Sequence, residues 1–277
     1  MILEIRQTTA NGTNNFEITE QGRLIYKALT NFLKPNSPLG GDSLRKLLLT
    51  DADDNMILHT HYDVRENLVE SSIPLGYLFR DSKKVRRYNI LDSSNRLLGN
   101  FYYELTGIAD SKMVIEYENK YISCFKRCVG NKEVITFYDG ETQIGQLTKP
   151  NCVVNNHDFY FVHFSDSYRF MQNIISLFVI YFDYIFHNHS GEIAQGYSWN
   201  KTYTYDRNSK KYNKNYIRDN FGIEENHRVE NFIKNTYDSR AQKSGFNLKK
   251  FWLIFGCGWT AAFILALIAL LIILNNR

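Results

Sequence analysis

The chain has 277 residues, 33 Lys and Arg against 29 Asp and Glu, a formal charge of +4, and four cysteines. The positive excess is confined to one stretch, because residues 1–186 carry 20 basic against 22 acidic side chains and residues 187–250 carry 12 against 7. This balance excludes a basic nucleic-acid-binding body, and the three cysteines left once Cys257 is assigned to an apolar run exclude a disulfide framework.

The N-terminus, Met1–Arg6, has no apolar run of the kind that forms a signal-peptide core. The N-terminal part is therefore expected in the cytosol, a reducing compartment that suits unpaired thiols. From there to about residue 165 the chain reads as β. Four segments repeat one pattern, alternating apolar residues on either side of a turn with an acidic residue or Gly: Phe16–Tyr26, Lys46–Leu58, Tyr88–Gly99 and Val134–Leu147. Each is a hairpin signal, enriched in the Tyr, Phe, Ile and Val that suit strands. The acidic turns at Asp51, Asp92 and Asp139 lie about 40 to 47 residues apart, which suggests a repeated hairpin unit.

Candidate chemistry within this region is sparse. Asp51-Ala-Asp-Asp-Asn55 begins like a calcium loop but lacks its central Gly and its closing Glu, so a solvated turn is expected. His59 and His61 fall on one face of a strand without a third ligand. Cys124 and Cys128 are separated by three residues with no second Cys/His pair following, so strand cysteines are expected rather than zinc ligands. No Ser/His/Asp, Cys/His or paired-carboxylate arrangement and no phosphate-binding Gly-rich loop stands out. No catalytic residue, cofactor or metal is therefore assigned, and the chain is expected not to be an enzyme.

Met171–Phe182 is apolar on every face and bounded by Arg169 and Asp183. It is too short to cross a bilayer comfortably, and the continuation through Phe186 makes it long for a strand. A helix over about 168–186, wrapped by other elements, is the expectation. Many hairpins and one all-round apolar helix have a shared solution: the sheet closes into an antiparallel barrel, which removes its edges, and the helix fills the bore.

The hairpins with Asp51, Asp92 and Asp139 in their turns, followed by Asn173–Asp183, resemble the tubby C-terminal-like superfamily. Within it the LURP-one-related and phospholipid scramblase branch is nearest. The resemblance implies a roughly twelve-stranded barrel around a C-terminal hydrophobic helix, over about residues 1–188. It implies no ligand residues here. The Pro-rich arm, acylated cysteines and calcium segment of scramblases have no counterpart, the last being sought at His187–Gly191.

Residues 189–248 read as a polar, basic juxtamembrane linker. Lys201–Tyr216 interleaves bases with tyrosines and places Lys210, Lys211 and Lys214 together, a mixture suited to anionic lipid headgroups. Asn220–Arg240 carries Phe221, Val229, Phe232 and Ile233 among charges, enough for a short amphipathic helix.

Phe251–Leu274 is uncharged throughout and, at about 1.5 Å per residue, long enough to span a hydrocarbon core of about 30 Å. Lys249, Lys250 and Trp252 would meet the interface. Arg240, Lys243, Lys249 and Lys250 precede the span and only Arg277 follows it, so the positive-inside rule puts the N-terminal side in the cytoplasm. With the three-residue tail 275–277 after it, the span is that of a single-pass, tail-anchored protein of the cell membrane. The sequence thus points to a membrane-tethered, non-enzymatic barrel module that responds to lipid or acts as a scaffold. The alternatives are a localised regulator that binds another protein and, third, a phospholipid scramblase; nucleic acid is not an expected partner.

Overall fold

The computed structural model describes residues 1–10, 13–31, 47–62, 83–105, 111–153, 157–187 and 211–243. The predicted span Phe251–Leu274 lies outside these residues, and among them no helix is long and apolar enough to cross a membrane. By packing, the chain divides into Met1–Tyr237 and Asp238–Arg277. Of the second unit only the first residues, to Lys243, are described.

Period-two alternation produces twelve strands: β1 (Ile2–Ala10), β2 (Thr13–Glu20), β3 (Arg23–Asn31), β4 (Leu47–Asp51), β5 (Met56–His61), β6 (Lys83–Asp92), β7 (Leu97–Leu105), β8 (Ser111–Tyr117), β9 (Lys120–Val129), β10 (Lys132–Asp139), β11 (Thr142–Pro150) and β12 (Phe159–Phe164). Each pairs antiparallel with its sequence neighbour, and β1 pairs with β12 to close the barrel. Among the described strands no edge is left for another chain to extend. The hairpin turns predicted at Asp51, Asp92 and Asp139 all occur, at one end of the barrel.

A 3-10 turn (Asp166–Met171) leaves β12 at that end and leads into helix α1 (Gln172–Phe186), which runs back through the bore. The expectation was a helix over about 168–186; the α-helix begins at Gln172, after the 3-10 turn, and ends at Phe186. Every residue from Ile174 to Tyr184 is buried. Phe178 packs edge-on against both Phe101 of β7 and Phe137 of β10, with ring centroids 5.6 and 5.5 Å apart, and Phe182 meets Tyr160 of β12. The helical conformation follows from the enclosure. A closed barrel offers no free edge, so a segment inside it must pair its own backbone groups, and a helix does so. Glu20 of β2 ties down the entry, accepting from Arg169 at 2.8 Å and from Gln172 at 3.1 Å.

Residues 211–243, expected within a polar linker, are folded. They form α2 (Tyr216–Phe221) and α3 (Ile223–Lys243), separated by Gly222 at φ +96°, a left-handed conformation that glycine adopts without steric cost. α3 realises the amphipathic helix expected over 220–240.

Candidate functional site

Two of the clusters of charged side chains involve the helices, one on the outer face of β12 and one at the end of the bore where α1 stops. On the outer face, Phe159, Phe161 and His163 alternate with the inward Tyr160, Val162 and Phe164. Phe232 of α3 packs tilted against Phe159 and edge-on against Phe161, with ring centroids 4.7 and 5.1 Å away, and Tyr216, Ile217, Val229 and Ile233 complete a second small core. Positions 225, 229, 232 and 233 share one helical face, which is why α3 can lie along the strand. Glu225 takes His163 Nε2 at 2.7 Å and is held by both Nε and Nη2 of Arg228, at 2.7 and 2.8 Å. Burial alone would raise the Glu225 carboxyl, but the bonds from His163 and Arg228 overcome it and bring it down to about 2. Burial pulls His163 below the usual imidazole value against the pull of Glu225. Arg228 also pairs with Glu4 of β1, and Lys132 of β10 with Glu230.

The lysines proposed to contact lipid fall out differently. The Lys211 ammonium pairs with Glu141 and lies 5.0 Å from the Tyr138 ring, and its carbonyl accepts from Thr136 Oγ1 at 2.8 Å. It is drawn onto the barrel wall, whereas Lys214 is exposed. Lys210, Lys249, Lys250 and Trp252 lie outside the described residues.

The acidic turns are structural. Asp51 Oδ1 accepts from the amides of Asp53 and Asn55, both at 2.9 Å, and Asp92 Oδ1 accepts from those of Ser94 and Arg96 at the same distance. Asp54 and Asn95 then take positive φ at matching positions. Asp139 differs: it takes Lys120 at 2.7 Å and Tyr168 at 2.6 Å, fastening the 3-10 turn to the barrel. His59 faces Asn95 at 3.0 Å and His61 is exposed. Cys124 is buried in the core, and none of Cys124, Cys128 and Cys152 is in a disulfide. Among the described residues no group of three or more His, Cys, Asp or Glu is placed to hold a metal ion.

At the far end of the bore the inward positions turn from apolar to polar or ionisable. Leu3 and Ile5 are followed by Gln7, and Ile122 and Cys124 by Lys126. Ile135 and Phe137 are preceded by Glu133, and Leu147 is followed by Lys149. Glu133 and Lys149 are direct cross-strand neighbours. Asp158 enters β12 here, its amide donating to Gln7 Oε1 at 3.0 Å. From α1 come Asp183 and His187. Lys149 pairs with Asp158 at 2.5 Å, Lys126 with Glu133 at 2.7 Å, and His187 Nε2 with Glu133 at 2.8 Å. The Tyr160 hydroxyl donates to Asp183 Oδ1.

These groups titrate far from their ordinary values. Burial, then the Asp158 charge, pushes the Asp183 carboxyl well up. Burial and the Lys149 charge drive His187 down to about 4, although Glu133 pulls the other way. Burial would raise Glu133, yet its bonds from His187 and Lys126 leave it well below the carboxylate range. The layer can hold charge and bind or release a proton, which no apolar plug could do. Sequence reading passed over it, naming His187 only as the start of the stretch in which a calcium segment was sought. The available signal was charge in phase with the inward apolar residues, as in Ile122, Cys124, Lys126.

Set against known protein families, curated proteins and solved structures, the chain matches none.

Proposed function

We propose that the chain is a membrane-tethered, non-enzymatic barrel module of the tubby-like kind. In this reading residues 251–274 hold it in the cell membrane and residues 1–250 face the cytoplasm, where the barrel's outer surface serves as a scaffold or lipid-responsive face. The observation that carries the reading is the filled bore. Small ligands bind in concave pockets of about 300–1,000 Å³, and α1 occupies the space in which an open barrel would hold one. Recognition then falls to the wall and the rims.

Deleting residues 251–277 tests the tether: the shortened chain should leave the membrane fraction with its β signal unchanged. Continued membrane association of the deletion would show that another part of the chain binds the bilayer. Vesicles separate the two kinds of surface. Lipid contact through basic side chains contributes about 1 kcal/mol per residue at an anionic surface and is screened by salt. Binding of residues 1–250 to anionic and not neutral vesicles supports the lipid-responsive form, and equal indifference to both supports the scaffold. Because Lys211 is engaged by Glu141, Lys214→Glu should weaken any such binding more than Lys211→Glu.

A further inference from the structure

The ionisable layer at the end of the bore is sealed, with Glu133, Lys149, Asp158, Asp183 and His187 each exposing 4% or less. Buried charge persists where it is balanced and hydrogen-bonded. From β9 the layer receives Lys126 and from β10 Glu133. Lys149 comes from β11, and Asp158 and Tyr160 from β12 and the residue before it. β1 gives the neutral Gln7, and α1 gives Asp183 and His187. Two lysines balance the charges of Glu133 and Asp158. With His187 and Tyr160 neutral, the layer carries no net charge only while Asp183 is protonated.

The geometry requires the same proton. Asp183 accepts the Tyr160 hydroxyl at Oδ1, while Oδ2 meets no donor. Asp158, itself paired with Lys149, is the carboxylate whose charge bears most on Asp183. Two carboxylates repel, so a proton on Asp183 removes a buried charge that nothing else balances.

We propose that Asp183 is a proton-binding site that acts as a catch on α1, locking its last turn into the bore while it holds one proton and releasing it when that proton leaves. On release the proton passes from Asp183 to water or base, and the layer goes from neutral to a net charge of −1. The last turn of α1 then carries an unbalanced carboxylate toward solvent. The raised Asp183 carboxyl puts release on the alkaline side of the ordinary carboxylate range. His187, held down, stays neutral across the same interval and does not compete.

The test uses the full chain in lipid nanodiscs, with two readouts. Infrared spectra at pH 6 should show the carbonyl stretch of a buried carboxylic acid, fading by about pH 9 as the raised carboxyl ionises. Asp183→Asn should lack it, and Asp158→Asn should lose it too, because Asp183 then ionises to balance the lysines. Hydrogen exchange in residues 180–187, corrected for intrinsic rates, should quicken by about tenfold per pH unit across the release, the change that one unit of linkage gives. In Asp183→Asn the corrected exchange should not depend on pH. Absence of the acid band from the parent at pH 6, or its persistence in Asp183→Asn, overturns the proposal. So does equal pH dependence of exchange in parent and variant. Should Asp183→Asn fail to fold, the parent's own band and the Asp158→Asn spectrum still decide.

Discussion

Gly99 and Gly145 occupy the same place in two hairpins. Each follows the extra residue of a bulge just past the turn, Leu98 in β7 and Ile144 in β11. A Cβ on Gly99 would lie 2.0 Å from the Glu116 carbonyl oxygen, and one on Gly145 would lie 2.2 Å from the Phe164 ring. Backbone yields less than a ring, so the two alanine variants should part company. Gly99→Ala should cost about 3 kcal/mol, at the upper end of ordinary overpacking, and Gly145→Ala distinctly less. Urea midpoints measure both, and equal small losses would contradict the close approach of β7 to β8. Glycine in strands was visible in the sequence, but which backbone it had to meet was not. The same holds for Asp139. It looked like Asp51 and Asp92, yet Lys120 and Tyr168 make it a fastener of the helix entry, and both partners come from elsewhere in the chain.

The elements themselves were largely legible. Alternation set the strands, and each of the four hairpins that the sequence pattern marked as repeats, β2–β3, β4–β5, β6–β7 and β10–β11, has a bulge near its turn. The run from Met171 to Phe186 announced a wrapped helix because no face of it is polar until Asp183. The docking of α2 and α3 was not legible. Their apolar side chains are few and scattered, and the surface they cover, Phe159 and Phe161, reads in sequence as ordinary strand alternation. That packing makes a specific demand. Val229 is buried against β12, so Val229→Asp must place a carboxylate there at a cost of several kcal/mol unless the helix lifts away. The predicted outcome is faster hydrogen exchange in residues 216–236 with unchanged exchange in α1 and the strands. Loss of protection throughout the barrel would show instead that the two helices are integral to its folding.

For the molecule as a whole, the buried groups set the pH range of stability. Glu133 and Glu225 lie below their ordinary value of 4.5, so the stability they contribute is present above it and lost as the pH falls through their lowered values. His187, down from 6.5 to about 4, contributes stability that is complete above 6.5 and lost as the pH falls toward 4. Asp183 has the opposite sign: raised above 3.8, its contribution is complete below that value and fades as the pH rises through the raised one. Between 3.8 and 6.5 the His187 and Asp183 slopes oppose each other; above 6.5 Asp183 acts alone. The melting temperature should therefore peak on the mildly acidic side of neutrality and decline in both directions. A profile still rising above pH 8 would contradict the assignment of Asp183. The central claim, a barrel held on the cytoplasmic face of the cell membrane, rests on charge bias and the apolar run at 251–274. Protease protection tests it most directly, with full-length chain in intact cells and an epitope at each end. Protease added outside should spare the N-terminal epitope and the whole of residues 1–248 until the membrane is permeabilised. Digestion of the barrel in intact cells, or recovery of the full-length chain in the soluble fraction, would contradict it.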